Sequence, residues 1–520
     1  MSTASIGRRE FVASGLTVTG AWLLGGCTSD HLLAPRSAPV RAADRAALAA
    51  VDDGDLPEPP VIRSAGGLLT AAITATTRPV TIAGRTVHQP VTYDERRARE
   101  AAVVRPGDVV SLAFSNRIVF DQAETKPGYG RPPRHPNATN LHFHGLHVPP
   151  TGTADNMAVV VPANGSWRYL FQVPADHPAG LFWYHAHVHG TVTNHVARGA
   201  AGMLYVANAY TDAIDALGIR WRLMLLQQAY LEEDLQELTY DDGERENAER
   251  ALSLINGQLM PEIHMRPGEP QVWSLLNGSS SAFYMLRLEG HTFEVVADDG
   301  VPLRAARPAS ETLLLASGKR LEVVVRAGAA GRYTLSYDAF NQGVDTWPQR
   351  AIGTVVVEGE RWSGPDHPGV DTSCFLEDLS HAHVDRDLRR TIVLGTNLDV
   401  EEGVFGRFTM NGHAWNPAIS EWTSTLGTVE EWTIRNETDQ DHPFHVHVNP
   451  FQITRIDGRP VPFDGYQDTA VVPRFGSLTV RTRFTDFVGG PVLMHCHILD
   501  HEDMGMMSAF TIAAPGAGVA

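Results

Sequence analysis

The sequence contains very few cysteines. Cys27, Cys374 and Cys496 are the three that occur in 520 residues. Cys27 lies in an N-terminal targeting motif and Cys496 in a histidine-rich stretch, so no pair remains for a structural disulfide. We interpret Cys374 as a small buried hydrophobic residue. The fold must therefore be stabilised without covalent cross-links.

Positive charge and long apolar runs are also scarce. Lys and Arg total 42 against 60 Asp and Glu, and the resulting net charge of −18 argues against a nucleic-acid partner. Beyond the N-terminus no apolar run is long enough to span a bilayer. Glycine and proline are by contrast abundant, at 47 and 33 residues, which favours many short strands joined by turns.

The first 27 residues are typical of an export signal. The pair Arg8-Arg9 precedes a largely apolar run at 12–24, and Leu24-Gly25-Gly26-Cys27 follows. The arginine pair resembles a twin-arginine signal, and the second motif resembles a bacterial lipobox. We therefore expect a protein exported to the periplasm or cell surface, with a lipid anchor at Cys27 and a linker at 28–54. The alternative is a cleaved signal with an incidental cysteine.

One pattern, a turn followed by an alternating strand that ends in asparagine, occurs three times. The copies end at Asn116, Asn277 and Asn436. Repeated strands separated by Gly, Pro and Asn predict all-β sandwiches of similar plan. We place the domains at 55–210, 211–374 with a terminal linker, and 375–520. Short helical insertions are predicted at 94–101 and 232–236.

Four His-x-His pairs lie in the first and third of these domains. Residues i and i+2 of an extended strand point the same way, so each pair presents two imidazoles on one face. Together the pairs offer too many ligands for one first-row ion and suit a multi-metal cluster shared by two domains. The middle domain has no such pair, and we interpret it as a spacer. The pairs are His142/His144, His185/His187, His445/His447 and His495/His497.

The last pair encloses a cysteine. The stretch from His495 to Met506 contains Cys496, three histidines and two methionines near its end. A cysteine with two nitrogen donors and a weak axial sulfur is the ligand set of a blue-copper electron-transfer site. Since Cys496 lies between two cluster histidines, the backbone would connect the two centres.

The four motifs together resemble those of the multicopper oxidases, which include laccases, bilirubin oxidases and cuprous oxidases. The resemblance covers nearly all of the chain after the signal and implies three consecutive cupredoxin-like Greek-key β-sandwiches with four copper ions. It implies that electrons enter at a type-1 copper, and that a trinuclear cluster reduces dioxygen to water. By the family pattern the type-1 ligands are His442, Cys496 and His501 with Met506 axial, the type-2 ligands are His142 and His445, and the type-3 ligands are His144, His185, His187, His447, His495 and His497.

Three acidic residues also match positions of the family. Glu502, next to His501, and Asp155, after the first motif, are expected to supply protons for dioxygen reduction. The alternative for both is a surface carboxylate or a turn cap. Asp468 is expected to make a structural hydrogen bond. Three further histidines match no ligand position and are interpreted as surface or supporting residues: His147, His177 and His189.

The substrate is less well determined by the sequence. Members that prefer cuprous ions often carry a methionine-rich insert before the fourth motif, whereas no methionine occurs between Glu437 and Pro491. We therefore favour phenols or aromatic amines as donors to a monomeric enzyme. A cuprous-ion oxidase is the alternative. A non-enzymatic cell-envelope scaffold of the same fold would lack several ligands, and a two-domain nitrite reductase would not carry all four motifs.

Overall fold

The computed structural model describes residues 54–82, 85–87, 90–94, 101–120, 136–230, 251–344, 346–374, 377–401 and 404–516. These residues form a nearly all-β structure, which confirms the predicted fold class. The export signal and almost all of the linker lie outside them, as do the insertion predicted at 232–236 and most of that at 94–101. No helix in the described ranges is long and apolar enough to cross a bilayer.

The first sandwich is built between residues 61 and 206. Its strands are β1 (Val61–Arg63), β2 (Leu68–Thr76), β3 (Val80–Ile82), β4 (Arg85–Val87), β5 (Thr92–Tyr93), β6 (Ala101–Val104), β7 (Val109–Arg117), β8 (His142–His144), β9 (Ser166–Gln172), β10 (Gly180–His185) and β11 (Ala201–Val206). They form sheets of order β1-β6-β11-β10-β8 and β5-β2-β7-β9 and a ribbon β3-β4. Two helices complete this part, α1 (Val192–Ala197) and α2 (Ala209–Ala216).

The middle sandwich follows directly. Its strands are β12 (Arg220–Tyr230), β13 (Ala251–Ile255), β14 (Gln258–Leu259), β15 (Glu262–Met265), β16 (Pro270–Asn277), β17 (Tyr284–Leu288), β18 (Glu294–Asp298), β19 (Val301–Pro302), β20 (Thr312–Leu315), β21 (Arg320–Arg326), β22 (Gly331–Asp338), β23 (Phe340–Asn341), β24 (Thr346–Trp347) and β25 (Arg350–Val357). Its sheets have the orders β14-β13-β12-β16-β21-β18-β19 and β15-β25-β22-β17-β20, with a ribbon β23-β24.

The third sandwich begins after two 3₁₀ turns at Leu379–His381 and Arg386–Leu388. Its strands are β26 (Arg389–Thr396), β27 (Phe408–Met410), β28 (Thr423–Thr425), β29 (Val429–Asn436), β30 (His442–Val446), β31 (Gln452–Ile456), β32 (Arg459–Pro460), β33 (Thr469–Val472), β34 (Ser477–Arg483), β35 (Gly489–Cys496) and β36 (Met507–Ala513), with helix α3 at Leu499–Asp503. The sheet orders are β27-β26-β29-β34-β31-β32 and β28-β36-β35-β30-β33.

The repeated sequence pattern occupies the same place in each sandwich. Strands β7, β16 and β29 each pair in parallel with one neighbour and antiparallel with another. The terminal asparagine accepts a hydrogen bond from the backbone N–H two residues on, at 2.9–3.0 Å. Its Nδ2 donates to two backbone carbonyl groups of neighbouring segments. The repeat therefore encodes a strand end and the loop that it fixes, in the three copies ending at Asn116, Asn277 and Asn436.

Cys374 differs from its sequence-based interpretation. It is only partly buried, so its description as a buried hydrophobic residue was wrong. Burial still raises the pKa of its thiol to about 11, with Asp371 contributing. At neutral pH the side chain is a neutral thiol at the end of the linker.

Candidate metal centre

The four His-x-His pairs lie at the ends of neighbouring strands. In the first sandwich His142 on β8 is the cross-strand partner of His185 on β10. In the third sandwich His445 on β30 is the partner of His495 on β35. Each sandwich therefore brings two pairs side by side, as period-2 alternation requires.

The two sandwiches bring their histidines together ring to ring. His142 stacks on His447 with ring centroids 3.8 Å apart, and His144 stacks on His445 at 3.7 Å. All eight imidazoles are at least 97% buried. Burial lowers the pKa of seven of them well below the usual histidine value, which leaves neutral rings that can donate lone pairs to a metal. These seven are His142, His144, His185, His187, His447, His495 and His497.

One group of three nitrogens converges at the centre of the cluster. Nε2 of His495 lies 3.2 Å from Nε2 of His187 and 3.2 Å from Nε2 of His447. One of these side chains comes from the first sandwich and two from the third. The three atoms form a ligand triad that could hold one ion.

Five further ring nitrogens are buried without a hydrogen-bond partner among the described residues. A buried polar atom left unpaired costs about 1–3 kcal/mol, so five in one cluster would be a large penalty in a metal-free protein. Soft or borderline metals accept imidazole nitrogen. The residues therefore fit a copper cluster. The five atoms are Nε2 of His142, Nδ1 of His144, and Nε2 of His185, His445 and His497.

Hydrogen bonds on the opposite side of each ring determine which nitrogen faces the cluster. Nδ1 of His142 lies 2.9 Å from Asp155 Oδ1, and Nδ1 of His445 lies 2.9 Å from the Asp468 carbonyl oxygen. His144 has the opposite arrangement: its Nε2 lies 3.0 Å from Asp468 Oδ1, so Nδ1 faces inward. The orientation of these rings is therefore fixed by the chain itself.

A second group of donors surrounds the thiol. Cys496 Sγ lies 3.4 Å from His442 Nδ1 and 3.8 Å from His501 Nδ1, and these two nitrogens are 3.2 Å apart. His442 is oriented by Thr438, whose Oγ1 lies 2.7 Å from its Nε2. Burial lowers the pKa of His442 to about 3 and raises that of the Cys496 thiol. A cation is therefore needed to favour the thiolate, as the blue-copper donor set implies.

Met506 is the methionine tied to this group through the backbone. Its carbonyl accepts a hydrogen bond from Cys496 N at 3.1 Å, and its N–H donates to the carbonyl of His501 at 2.8 Å. Met507 instead packs with Leu493 and Ala509 in a separate apolar cluster. Of the two, Met506 is the one that adjoins the thiol site.

His501 is covered by its neighbours, since it is only 1% exposed. Phe408 stacks on it with ring centroids 3.8 Å apart. The carbonyl of Phe408 and the side chain of Ala414 leave no room for a side chain at Gly505. The thiol site is therefore covered by the segment around β27.

The two candidate proton donors are buried beside the histidine cluster. Asp155 is 2% exposed, and it accepts a hydrogen bond from Phe143 N at 2.8 Å in addition to its contact with His142. Glu502 is fully buried, with its oxygens 3.3 Å from Nδ1 of His495 and 3.6 Å from Nδ1 of His187. The alternative of surface carboxylates is therefore wrong.

Burial changes the acidity of both groups. It raises the pKa of Asp155 to about 8, against the smaller lowering by the Phe143 N–H. It raises the pKa of Glu502 well above the usual range, with Asp503 adding to the effect. Burial therefore favours the protonated form of both carboxyl groups.

Three histidines outside the ligand set have different surroundings. His177 and His189 are buried, so a surface position is wrong for both. His147 N donates to His177 Nε2 at 3.1 Å, and His147 Nε2 lies 2.8 Å from Asp486 of the third sandwich. These contacts join the first and third sandwiches.

Sequence reasoning missed the contribution of the middle sandwich. Asp468 contacts two candidate ligands, as a structural hydrogen-bonding role requires, but its own partner is Arg320 on β21. Burial alone would raise the pKa of Asp468, and the Arg320 guanidinium outweighs it and lowers the pKa. Ser317, just before β21, lies 3.3 Å from His497 through its hydroxyl group. The middle repeat has no histidine pair, so no sequence pattern pointed to either residue.

Known proteins resemble this chain along most of its length. Profiles described as multicopper oxidase match residues 134–210, 220–359 and 390–515. A multicopper oxidase of Staphylococcus haemolyticus is 25% identical over 384 residues, covering 72% of this chain and 76% of that protein. A laccase of Haloferax volcanii is 27% identical over 453 residues, covering 78% of this chain and 72% of that protein. A cell division protein FtsP of Sodalis glossinidius is 25% identical over 430 residues, covering 79% of this chain and 82% of that protein.

Solved structures have the same fold. A multicopper oxidase of Campylobacter jejuni described as a metallo-oxidase superposes with a TM-score of 0.72 at 22% identity, covering 88% of this chain and 95% of that one. The McoA multicopper oxidase of Aquifex aeolicus superposes with a TM-score of 0.73 at 21% identity, covering 89% of this chain and 100% of that one. The profiles span all three sandwiches, and the histidine and thiol groups lie within the matched residues. The chain therefore belongs to the multicopper oxidase family and is a copper-dependent oxidase.

Proposed function

We propose that this oxidase takes single electrons from phenols or aromatic amines and uses four of them to reduce dioxygen to water. The observation that carries the proposal is the eight-histidine cluster with its unpaired nitrogens, next to a buried thiol with two imidazoles. Bound copper would supply the redox chemistry, one ion accepting electrons from the donor and three reducing dioxygen.

By the family pattern the candidate ligands divide into four sets. His442, Cys496 and His501, with Met506 axial, would hold a type-1 ion. The Nε2 atoms of His142 and His445 would hold a type-2 ion. Two triads would hold the type-3 pair: His187, His447 and His495, and His144, His185 and His497.

The chain also provides a short connection between the two centres. Cys496 lies between His495 and His497, so only the backbone and side chains of three consecutive residues separate the thiol from two cluster ligands. Glu502 and Asp155 would hold the protons that dioxygen reduction consumes, since both adjoin ligand rings within the buried cluster. Asp155 adjoins His142, whereas Glu502 adjoins His495 and His187, so the two carboxyl groups contact different ligand rings.

The preference for phenols and aromatic amines rests on the sequence. The absence of methionine between Glu437 and Pro491 argues against the insert common in cuprous oxidases. One structural observation favours the alternative, a cuprous-ion oxidase: the ring of His501 is covered by Phe408. Such a cover keeps bulky organic donors farther from the thiol site, which disfavours them relative to a small ion.

A non-enzymatic scaffold is the candidate from another class. The FtsP relative carries the name of a cell division protein, and a scaffold would have no need of buried, unpaired imidazoles. The chain keeps every candidate ligand, which supports an enzyme.

Oxygen uptake by copper-loaded protein tests the proposal. A phenol, an aromatic amine and cuprous ions are compared side by side, with copper content and the blue thiolate-to-copper absorption measured on the same sample. We expect four ions per chain, a blue band, and faster uptake with the organic donors. A colourless, copper-free protein after loading would refute the oxidase assignment, and uptake with cuprous ions alone would refute the organic substrate.

We also propose export and lipidation at Cys27, and a monomeric protein. The support is the arginine pair and the Leu-Gly-Gly-Cys motif in the N-terminal sequence. Mass spectrometry of the mature N-terminus tests lipidation at Cys27, and fractionation of the envelope tests export. An unmodified Cys27 in the mature protein would contradict the anchor.

A further inference from the structure

One turn of the middle sandwich packs directly against the histidine cluster. Ser317 Oγ donates to the carbonyl of Ser279 at 2.7 Å, and the same oxygen lies 3.3 Å from Nδ1 of His497. The next residue, Gly318, has φ = +80°, and a Cβ there would lie 2.8 Å from the His497 ring. The turn is therefore in contact with a candidate ligand.

The strand that follows carries a charge into the interior. Arg320 is fully buried, and its Nη1 and Nη2 donate to the two oxygens of Asp468 at 2.7 and 2.5 Å. Its other hydrogen bonds go to the carbonyl groups of Asp299, Gly318 and Leu181 at 2.9–3.3 Å. A guanidinium held at so many points is a rigid support for a carboxylate.

Asp468 transmits this support to ligands of both outer sandwiches. Its Oδ1 lies 3.0 Å from Nε2 of His144, and its carbonyl oxygen lies 2.9 Å from Nδ1 of His445. Its backbone is held too, because the N–H groups of Asp468 and Thr469 each donate to Asp299 Oδ2 at 3.0 Å. Asp299 and Arg320 both belong to the middle sandwich, so this sandwich fixes the side chain and the backbone of Asp468.

Gly145 shows how closely the ion pair approaches a ligand strand. It follows His144 directly, with φ = +81°. A Cβ at this position would collide with Arg320 Nη2 and with Asp468 Oδ2. The Arg320–Asp468 pair thus lies against the backbone next to His144, and a shift of the pair would move that histidine.

A second arginine makes a comparable pair without this connection. Arg307, which is 31% exposed, contacts Asp464 of the third sandwich at 2.7 Å and Asp298 at 2.6 Å. Both arginines join the same two sandwiches through carboxylates. A buried ion pair such as Arg320–Asp468 contributes little net stability, so sandwich docking alone does not account for the contacts of Asp468 with His144 and His445.

We propose that Arg320 is a positioning residue for the copper cluster, acting through Asp468 on His144 and His445. The proposal rests on the assignment of these two histidines as ligands. The middle sandwich is then more than a spacer, since it orients one type-2 and one type-3 ligand. The carboxylate of Asp468 lies 3.0 Å from Nε2 of His144 and 3.4 Å from Nδ1 of His445. Without Arg320 this carboxylate would lose its fixed position, and each ring would lose an orienting contact.

The test compares full-length, copper-loaded Arg320→Lys and Arg320→Gln with the matched control Arg307→Gln. Copper per chain, the blue absorption and the electron paramagnetic resonance signal of the type-2 ion are measured, together with the thermal midpoint. We expect Arg320→Gln to keep the blue absorption, to lose copper from four ions toward one, and to lose or alter the type-2 signal. Arg320→Lys keeps the charge but not the two-point contact, so an intermediate effect is expected. Arg307→Gln should lower only the midpoint.

The outcomes separate this proposal from the function on which it rests. If both Arg320 variants match the wild type in copper content and type-2 signal, the positioning role is wrong. If Arg320→Gln does not fold, Arg320→Lys and Asp299→Asn decide the question by the same signal. A wild-type protein with no copper or no blue absorption would instead refute the proposed function, whatever the variants do.

Discussion

Replacement of Gly318 by alanine should damage the copper cluster and leave the thiol site intact. The φ of +80° makes any side chain costly here, by about 1–2 kcal/mol. The new Cβ would lie 2.8 Å from two carbons of the His497 ring, whereas unstrained carbons are about 3.5–4.0 Å apart. Either the ring or the turn must therefore move by about 1 Å. Functional sites tolerate about 0.5 Å.

The chain offers a matched control in Gly268→Ala. Gly268 also lies in a turn of the middle sandwich, with φ = +77°, but the nearest atom to its added Cβ is 3.7 Å away on Arg361. This variant therefore has the same backbone cost without the collision. Thermal unfolding of the copper-free proteins should show similar losses for both variants.

The difference between the variants should appear after copper loading. A misplacement of about 1 Å costs on the order of 100-fold in rate, so we expect oxygen uptake by Gly318→Ala to fall by about that factor. The blue absorption should persist, because His442, Cys496 and His501 do not contact this turn. Equal oxygen uptake by Gly318→Ala and Gly268→Ala would refute the argument, since the collision would then have no effect on His497.

Three further predictions concern single side chains. Cys496→Ser should abolish the blue absorption and turnover while circular dichroism stays unchanged, because an alcohol oxygen is a poor copper ligand; unaltered oxygen uptake would contradict the electron path. Glu502→Gln should keep the blue absorption but slow oxygen uptake by about 100-fold or more, and an unchanged rate would exclude Glu502 as proton donor. Burial raises the pKa of Glu322 from 4.5 to about 8, so the folded protein binds this proton more tightly than the unfolded chain does. The resulting contribution to folding stability is fully present below pH 4.5 and is lost as the pH rises toward 8. Glu322→Gln removes this pH-dependent loss of stability, so the thermal midpoint of the variant minus that of the wild type should increase between pH 5 and pH 8. A constant difference between the two midpoints would show that Glu322 titrates normally.

Sequence patterns predicted the parts of the site that depend on local geometry. The spacing of His142 and His144 determines a shared strand face, and the same alternation holds for His495 and His497. The sandwich plan likewise followed from repeated turn and strand signals. These are short-range properties that one strand or one loop can encode.

The parts of the site that the sequence did not predict depend on contacts between segments that are distant in the chain. Arg320 and Asp468 are 148 residues apart, and nothing in either local sequence indicates that they meet. The cover over His501 arises from β27, which precedes it by more than 90 residues and carries no chemical motif. Such partners are selected by tertiary packing, so the sequence predicted that the histidine pairs come together but not that Arg320 supports them or that Phe408 covers His501.

The histidine pairs alone do not explain why only the third sandwich has a thiol site. Strands β10 and β35 both end in a His-x-His pair, and Ala186 occupies the position of Cys496. Ala186 is fully buried in the apolar core of the first sandwich.

The other three donors of the thiol site are also replaced in the first sandwich. With the His-x-His pairs in register, Thr139 stands where the third sandwich has His442, Thr191 where it has His501, and Val196 where it has Met506. The first sandwich thus lacks every donor of the thiol site but keeps both histidine pairs. A cysteine at Ala186 alone would therefore lack all three partner donors that the register aligns with the thiol site. The alternation of β35 is what lets one strand end serve two centres, because one face supplies the cluster histidines and the opposite face, in the core of the sandwich, supplies the thiol.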